Sequence, residues 1–304
     1  MPSPGYSYET ILTDALKVGW RVEDIIGGDK RLDFTRPFLP DALAGVKAIG
    51  CLSPAEKLKL NQIRGNSYLH LFGLVEEFIL PFVMDHARQA VHGENVELRA
   101  MVTFAEEEAK HMHLFKRFSE EFARGFGTPC AGVGPAHEIA AAVLSHSALG
   151  VGLVTLHLEW LTLYHYLESV RTDESIDPRF ASLLRHHWME ESQHAKLDSL
   201  LVQKIASTLS SEQVEAGIDD FLVLGNMLHD TLMAQARLDL ESLTRAVGRT
   251  LSDAEQREII EAQQKSYRRV MLAQGMTQPN FVKVVEELSP RGMARVSEVA
   301  RALG

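Results

Sequence analysis

The chain has little cysteine and no surplus of positive charge. Its 304 residues include only Cys51 and Cys130, too few for a disulfide framework or a cysteine-rich metal site. A reducing cytoplasm is therefore the compartment we expect. The formal net charge of −10 argues against nucleic acid or an anionic membrane as the main partner, because both attract a basic surface.

The sequence also shows no sign of a targeting segment or a membrane-spanning segment. The N-terminal residues 1–6 lack the basic start and apolar run of a signal peptide. The long apolar stretch from Ile139 to Tyr164 contains His146, His157 and Glu159, so we expect a buried helix there and no membrane span. We find no glycine-rich phosphate loop, nucleophile elbow or cysteine nucleophile context.

No useful length of the sequence alternates with the period of a strand, so the predicted fold class is all-α. Capping boxes begin helices at Ser53 and Ser252, and Asp177 with Pro178 begins another. The predicted long helices span about 53–90, 94–125, 136–171, 178–208, 211–248 and 252–274, with two short helices after them. The third could bend near Gly150 and Gly152.

These signals predict a single helical domain with three parts. Glycines and prolines make residues 1–52 an arm of short elements laid over the bundle. Residues 53–208 form a ferritin-like four-helix bundle, built from two helix hairpins with a long crossover, and residues 209–304 add further packing helices.

A sequence motif that occurs twice is the main indication of function. A glutamate precedes Glu-Glu-x-x-His by about thirty residues, and the two motifs are 107–111 and 190–194. Two Glu-x-x-His motifs alone are close to chance, but both follow a second glutamate and lie on predicted helices. Residues at i and i+3 share one helix face, so two such pairs and two lone glutamates make the ligand set of a two-metal site.

The chemistry of these residues suits Fe(II) or Mn(II), which prefer carboxylate oxygen and imidazole nitrogen. Glu108 and Glu191 are the natural bridging carboxylates, and His111 and His194 would bind one metal each. A surface-charge interpretation does not account for Glu159, which sits in an apolar helix where an unpaired charge is costly.

Two details remain open in the sequence. Glu76 lies 32 residues before Glu108, the same separation as between Glu159 and Glu191. Glu77, however, aligns better with Glu159 when the residues that follow each are compared. One of the pair is expected to bind metal and the other to make a neighbouring contact. His187 lies four residues before Glu191 on the same helical stripe and would add a third imidazole.

The spacing Glu, Glu-x-x-His, Glu, His-x-x-x-Glu-x-x-His over residues 53–200 resembles the di-iron N-oxygenases typified by p-aminobenzoate N-oxygenase. The ligands implied by this resemblance are Glu76 or Glu77, Glu108, His111, Glu159, His187, Glu191 and His194. The chain departs from the family where an aspartate usually precedes each Glu-x-x-His, since Glu107 and Glu190 stand there. These two are expected to orient a ligand histidine through its free ring nitrogen.

By this resemblance the protein is an oxidoreductase in which two Fe ions, or an Fe/Mn or Mn/Mn pair, reduce O2 to a bridging peroxo species that oxidises an amine of a small molecule. An external electron donor is implied, and we expect a monomer or homodimer. The expected pocket residues lie one turn from the ligands and are Gly73, Thr155, Leu156, Thr162 and Leu163. The alternatives are a di-iron hydroxylase or desaturase acting on C–H bonds, and a non-enzymatic ferritin-like iron-handling protein.

Overall fold

The structure is a computed structural model that describes residues 5–304. Within that range every regular element is a helix, apart from one isolated bridge between Gly27 and Lys30, which confirms the all-α prediction. Residues 1–4, where the predicted arm and the N-terminal stretch begin, lie outside the described residues. The rest of the arm contains α1 (Tyr8–Ala15), α2 (Val22–Ile25) and α3 (Asp41–Ala44).

Four long helices form the bundle that carries the repeated pattern. They are α4 (Pro54–Ala90), α5 (Asn95–Phe126), α7 (Ala148–His165) and α8 (Pro178–Ser207), with a short α6 (Ala136–Leu144) before α7. The predicted capping box is present, since the Ser53 side chain accepts a hydrogen bond from the Glu56 amide, which stabilises the first turn of α4. Gly127 ends α5 in the left-handed conformation (φ 77°) that glycine adopts without strain.

The prediction of a single helix over residues 136–171 was wrong. The chain breaks between α6 and α7, where the Ser147 side chain accepts from the Gly150 amide and caps a new helix. Gly150 lies within the first turn of α7 and serves close packing, because a Cβ there would come within 2.5 Å of the Asp220 Cβ. After α7 a π-helical segment, Tyr166–Val170, completes the predicted span.

The C-terminal part packs over the bundle as α9 (Ser211–Val247), α10 (Asp253–Tyr267), α11 (Gln274–Met276), α12 (Pro279–Leu288) and α13 (Pro290–Leu303). A π-helical segment, residues 268–273, joins α10 to α11. The carbonyls of Val270 and Met271 accept hydrogen bonds from the buried imidazoles of His165 and His157 on α7. Burial lowers the pKa of both histidines to about 4, so each donates as a neutral ring.

One described helix, α4, is long and apolar enough to cross a membrane, but 67% of its most apolar window is buried inside the fold. A core helix of a soluble protein has the same character. The apolar stretch from Ile139 to Tyr164 is divided between α6, where Ala140 and Val143 are the buried residues, and α7, which is buried from Leu149 onward except at Tyr164. The prediction of a buried helix therefore holds for α7, whereas most of α6 lies at the surface.

A buried polar network joins α9 to α4 and α10. The Asp239 carboxylate accepts from Ser67 (2.5 Å), Gln235 (2.8 Å) and Tyr267 (2.7 Å). The Arg64 guanidinium lies 3.8 Å from the same carboxylate and 3.2 Å from the centre of the Tyr267 ring. Because Arg64 is buried, its charge depends on Asp239 for compensation.

Replacing Asp239 with Ala should lower the free energy of unfolding by about 3–5 kcal/mol, since it leaves the Arg64 cation buried without a counter-charge. Urea unfolding monitored by circular dichroism measures this loss. The matched control is Asp85→Ala, which removes the carboxylate of an exposed i, i+3 pair with Arg88. If both variants unfold at the wild-type urea concentration, the network does not hold α9 in place.

Candidate metal centre

Seven of the predicted ligand residues meet at the centre of the four-helix bundle. Each helix supplies at least one: α4 and α7 a lone glutamate, α5 a glutamate and a histidine, and α8 two histidines and a glutamate. None is more than 3% exposed. The residues that meet are Glu76, Glu108, His111, Glu159, His187, Glu191 and His194.

Two groups of donor atoms within this cluster are spaced to hold a cation each. One group is Glu76, His111, His187 and Glu191, and the other contains Glu108, His111, Glu191 and His194. Within each group the donor atoms all lie within 4.8 Å of one another.

Glu191 and Glu108 occupy the middle of the cluster. The His187 Nε2 atom lies 2.5 Å from Glu191 Oε1, and His111 Nδ1 lies 3.3 Å from that same oxygen. His194 Nδ1 lies 2.8 Å from Glu108 Oε1 and 3.0 Å from Glu191 Oε2. Glu191 therefore faces both groups, the position that a bridging carboxylate requires.

The first glutamate of each motif holds the histidine of the other helix. His194 Nε2 on α8 lies 2.8 Å from Glu107 on α5, and His111 Nε2 on α5 lies 3.0 Å from Glu190 on α8. Each Nε2–H donates to its carboxylate, which turns the Nδ1 atom of each ring toward the cluster. This geometry is the orienting role expected of Glu107 and Glu190, performed across the two helices.

Two residues that sequence reasoning missed close this face of the cluster. Lys110 Nζ lies 2.5 Å from Glu190 and 4.4 Å from the centre of the Trp20 ring. Trp20 in turn lies parallel to the His111 ring at 6.2 Å. Lys110 sits inside the motif and could have been considered, whereas nothing in the arm sequence links Trp20 to the site.

Aromatic rings cover the other histidines. Phe104 lies 4.0 Å from His194, and Phe115 lies 5.0 Å from His187, measured between ring centroids. These contacts exclude water and hold the imidazoles in place.

Glu77 does not join the cluster. It lies on the outer side of α4 beside a surface cavity that Gly73, Phe115 and Lys116 also line, whereas Glu76 points inward. Of the expected pocket residues, Gly73 alone lines a cavity beside the site. The others are packed inside the fold: Leu156 and Leu163 belong to the apolar core, and the hydroxyls of Thr155 and Thr162 donate to carbonyls of their own helix.

Buried polar atoms of the cluster that lack hydrogen-bond partners are suited to bind metal ions. With all carboxyls ionised, buried oxygens of Glu76, Glu108 and Glu159 have no hydrogen-bond partner, and neither do His111 Nδ1 and His187 Nε2. Buried polar atoms are normally satisfied, so a set of unsatisfied lone pairs directed at common points needs an explanation. Carboxylate oxygens and imidazole nitrogens are also the donors that Fe and Mn accept.

Without metal, the four carboxyl groups form two proton-sharing pairs. Burial and the charge of Glu108 hold the pKa of Glu76 well above its usual range, and burial with the charge of Glu191 does the same for Glu159. Burial also acts on Glu108, but the hydrogen bond from Glu76 and the charge of His194 lower its pKa to about 2. Glu191 is held well below its usual range in the same way, chiefly by His187 and His194 against burial.

The histidines respond to the same charges. Burial opposes protonation of His111, but Glu191, Glu108 and Glu190 raise its pKa to about 9. The pKa of His194 is also raised well above its ordinary value by the carboxylates around it. The pKa of His187 is lowered because burial outweighs the attraction of Glu191. Protons therefore occupy the cluster where cations would bind.

Asp198 is a further buried acid that the sequence analysis did not select. It is 1% exposed, and neither carboxyl oxygen has a hydrogen-bond partner among the described residues. Burial raises its pKa well above the usual range, although the charge of His194 opposes the shift. Its position four residues after His194, on the same helical stripe, was a usable signal in the sequence.

No protein-family model and no curated protein matches the chain. Among solved structures, an R2-like ligand-binding oxidase with an aerobically reconstituted Mn/Fe cofactor is 15% identical, covering 86% of this chain and 93% of that one, with a TM-score of 0.43. A variant of such an oxidase with an Fe/Fe cofactor has the same identity, coverage and TM-score. Likeness of this degree assigns neither a family nor an activity, which must come from the chain's own residues.

The metal-free protein should lose stability as the pH rises from about 6.5 to about 9. A histidine whose folded-state pKa is raised stabilises the fold below its ordinary pKa of 6.5, and this stabilisation disappears as the pH passes the folded value of about 9 for His111. The pKa values of Glu76 and Glu159 are also raised in the folded state, so these carboxyl groups likewise stabilise the fold less as the pH rises. The melting temperature of metal-free protein across this range measures the effect.

Added Fe(II) or Mn(II) should remove this pH dependence and release protons, which calorimetry in buffers of different ionisation enthalpy detects. A melting temperature that is flat or rises between these pH values, together with no proton release, would contradict the protonated cluster.

Glu107→Gln and Glu190→Gln should each weaken metal binding by about 10- to 100-fold, because each removes the carboxylate that orients a histidine. Equilibrium dialysis against Mn(II) measures the affinity. Glu77→Gln is the matched control and should bind as the wild type does, since Glu77 lies outside the cluster. An equal loss in all three variants would mean that the cross-helix contacts have no specific role.

Proposed function

We propose that the protein is a di-metal oxidase that activates O2, with two Fe ions as its cofactor and an Fe/Mn or Mn/Mn pair as the alternative metal content. One observation carries the proposal: four glutamates and three histidines converge in the buried core, where side-chain atoms of Glu76, Glu108, Glu159, His111 and His187 have no hydrogen-bond partner. Proposed ligands are Glu76, Glu108, His111, Glu159, His187, Glu191 and His194.

Charge balance supports two ions in preference to one. The four glutamates carry four negative charges when ionised, and two divalent cations neutralise them completely. A single divalent ion would leave two charges uncompensated among buried side chains, which is costly. Glu107 and Glu190 lie outside this count, since each is paired with a histidine and Glu190 also with Lys110.

The seven ligand residues would hold two Fe(II) ions there, and those ions would supply the redox chemistry that O2 activation requires. The protein's own residues orient and protect the site. Glu107 and Glu190 fix the ring nitrogens that face the metals, while Phe104 and Phe115 keep water away from the histidines. Burial raises the pKa of Asp198 close to the centre, which favours its protonated form.

N-oxygenation of an amine is the finer proposal, and it rests on the resemblance to the p-aminobenzoate N-oxygenase family. His187 supports it, because the third imidazole of that pattern lies 2.5 Å from Glu191. Oxidation of a C–H bond by the same ligand set is the alternative. The proposal includes an external electron donor, a monomer or homodimer, and a cytoplasmic location without a nucleic-acid or membrane partner.

Protein purified from iron-supplemented cells should contain about two metal ions per chain and, after anaerobic reduction, give a transient optical absorption when mixed with O2. His187→Ala should lower the metal content and change the transient. The matched control is His92→Ala, which removes an exposed imidazole between α4 and α5. Fewer than one metal per chain and no transient would refute the proposal.

The same preparation separates the remaining alternatives. Aniline and ethylbenzene, assayed for oxygenated products under 18O2, distinguish N-oxygenation from C–H oxidation. Elution from a sizing column as a very large assembly would favour iron handling, whereas a monomer or dimer would favour an oxygenase.

A further inference from the structure

An apolar cavity lies beside the proposed metal centre, between α4 and α7, and is completed by α6 and α9. Its volume is about 330 Å³, within the range of small-molecule sites. We call it the α4–α7 cavity. Its apolar lining includes Val75, Phe78, Val143, Val154, Leu158 and Leu224.

The cavity adjoins the metal centre on the side of the two lone glutamates. Val75 immediately precedes Glu76, and Leu158 immediately precedes Glu159. Successive side chains on a helix are about 100° apart, so each helix directs one residue into the cluster and the residue before it into the cavity. A molecule in this cavity would therefore contact the residues that immediately precede both glutamates.

The opposite side of the centre is closed. Glu107 and Glu190 pair with the ligand histidines between α5 and α8, and Lys110 and Trp20 lie over Glu190 and His111. A substrate that reached the metals from there would have to break these contacts. The lining of the α4–α7 cavity is mainly apolar and includes none of the residues that make these contacts, so a molecule bound there leaves them intact.

The charges around the cavity select the kind of molecule it accepts. Its deep lining is apolar, and its charged lining residues are the exposed acids Glu138 and Asp230. No lysine, arginine or histidine is among the residues that line it. An anionic group would lose its hydration without gaining a cation and would face two carboxylates, whereas an uncharged molecule meets neither penalty.

We propose that the α4–α7 cavity binds the substrate of this centre, and that the substrate is a lipophilic molecule without an acidic group. The assignment to the centre rests on the proposed function, while the cavity's preference stands independently of it. Aminobenzoates, the substrates expected from the family that the motif resembles, would bring a carboxylate against Glu138 and Asp230. The chain therefore differs from that pattern in the charge of its substrate.

A matched pair of fluorescent probes tests the preference in metal-free protein. N-phenyl-1-naphthylamine is an uncharged arylamine, and 8-anilino-1-naphthalenesulfonate has the same skeleton with one sulfonate. The uncharged probe should bind at one site per chain and about tenfold more tightly, a difference of about 1.4 kcal/mol. Equal affinities, or tighter binding of the sulfonate, would overturn the proposed selectivity.

Two neighbouring alanines on α6 locate the binding site. Ala142 lines the cavity, whereas Ala141 is exposed outside it. Ala142→Trp should fill part of the cavity and weaken binding of the uncharged probe about tenfold, while Ala141→Trp should leave it unchanged. Unfolding midpoints show whether either variant is destabilised, and equal affinities in two folded variants would place the probe elsewhere.

The acids are tested by the double substitution Glu138→Gln with Asp230→Asn. It should tighten binding of the sulfonate probe several-fold and leave the uncharged probe unaffected, because only the anion is repelled. The control substitutes two exposed acids away from the cavity, Glu286→Gln with Glu298→Gln. A similar gain in the control would mean that net charge, and not the cavity mouth, sets the preference.

Protein loaded with Co(II) tests the link to the centre. Saturation with N-phenyl-1-naphthylamine should shift the visible Co(II) absorption of the wild type but not of Ala142→Trp. An unchanged spectrum in Co(II)-loaded wild type would show that the cavity does not serve the metal centre. Failure to bind metal while the probe preferences persist would refute the proposed function and leave the cavity as a ligand site.

Discussion

Four glutamate carboxyl groups are directed at one another in the centre of the bundle, where solvent does not reach them. Buried carboxylates must be neutralised, and the cluster offers two means: protons shared between the pairs, or cations in their place. The raised pKa of Glu76 and Glu159 and the lowered pKa of Glu108 and Glu191 describe the first state. In the second state, cations would occupy the positions that these protons hold.

The cross-helix pairs explain why each motif begins with a second acid. Glu107 and Glu190 reach between α5 and α8, so each helix orients the histidine of the other and the two helices become mutually dependent. The resembled family has aspartate at both places. Here the longer side chain spans the gap, and on one side the Lys110 ammonium lies 2.5 Å from the Glu190 carboxylate.

The two sides of the centre differ in character. Between α5 and α8 it is closed by charged and aromatic contacts that include Trp20, from a part of the chain distant in sequence. Between α4 and α7 it is bordered by apolar side chains and an open volume. A closed polar side fixes the ligands, while an apolar side can admit a substrate and exclude water, and both are needed for controlled oxidation.

Much of the fold and of the candidate site was predictable because its signals are local. Capping serines, Pro178 and terminal glycines set helix ends within a few residues, and the i, i+3 and i, i+4 spacings put the ligands of α5 and α8 on one stripe. The break before α7 was missed because Ser147 is a weaker cap signal than the glycines after it. Gly150 packs against α9 and Gly152 against α4 and α8, and the local sequence does not reveal these contacts.

By itself, the sequence determined the all-α class, the helices that carry the motifs and the residue types available to bind metal. Only the tertiary structure decided that Glu76 faces the cluster and Glu77 the surface, because adjacent residues on a helix differ by rotation and packing selects which one turns inward. It also decided which carboxylate holds which histidine, and where the apolar cavity lies. Those features depend on how separate helices meet, and no spacing within a single helix encodes that.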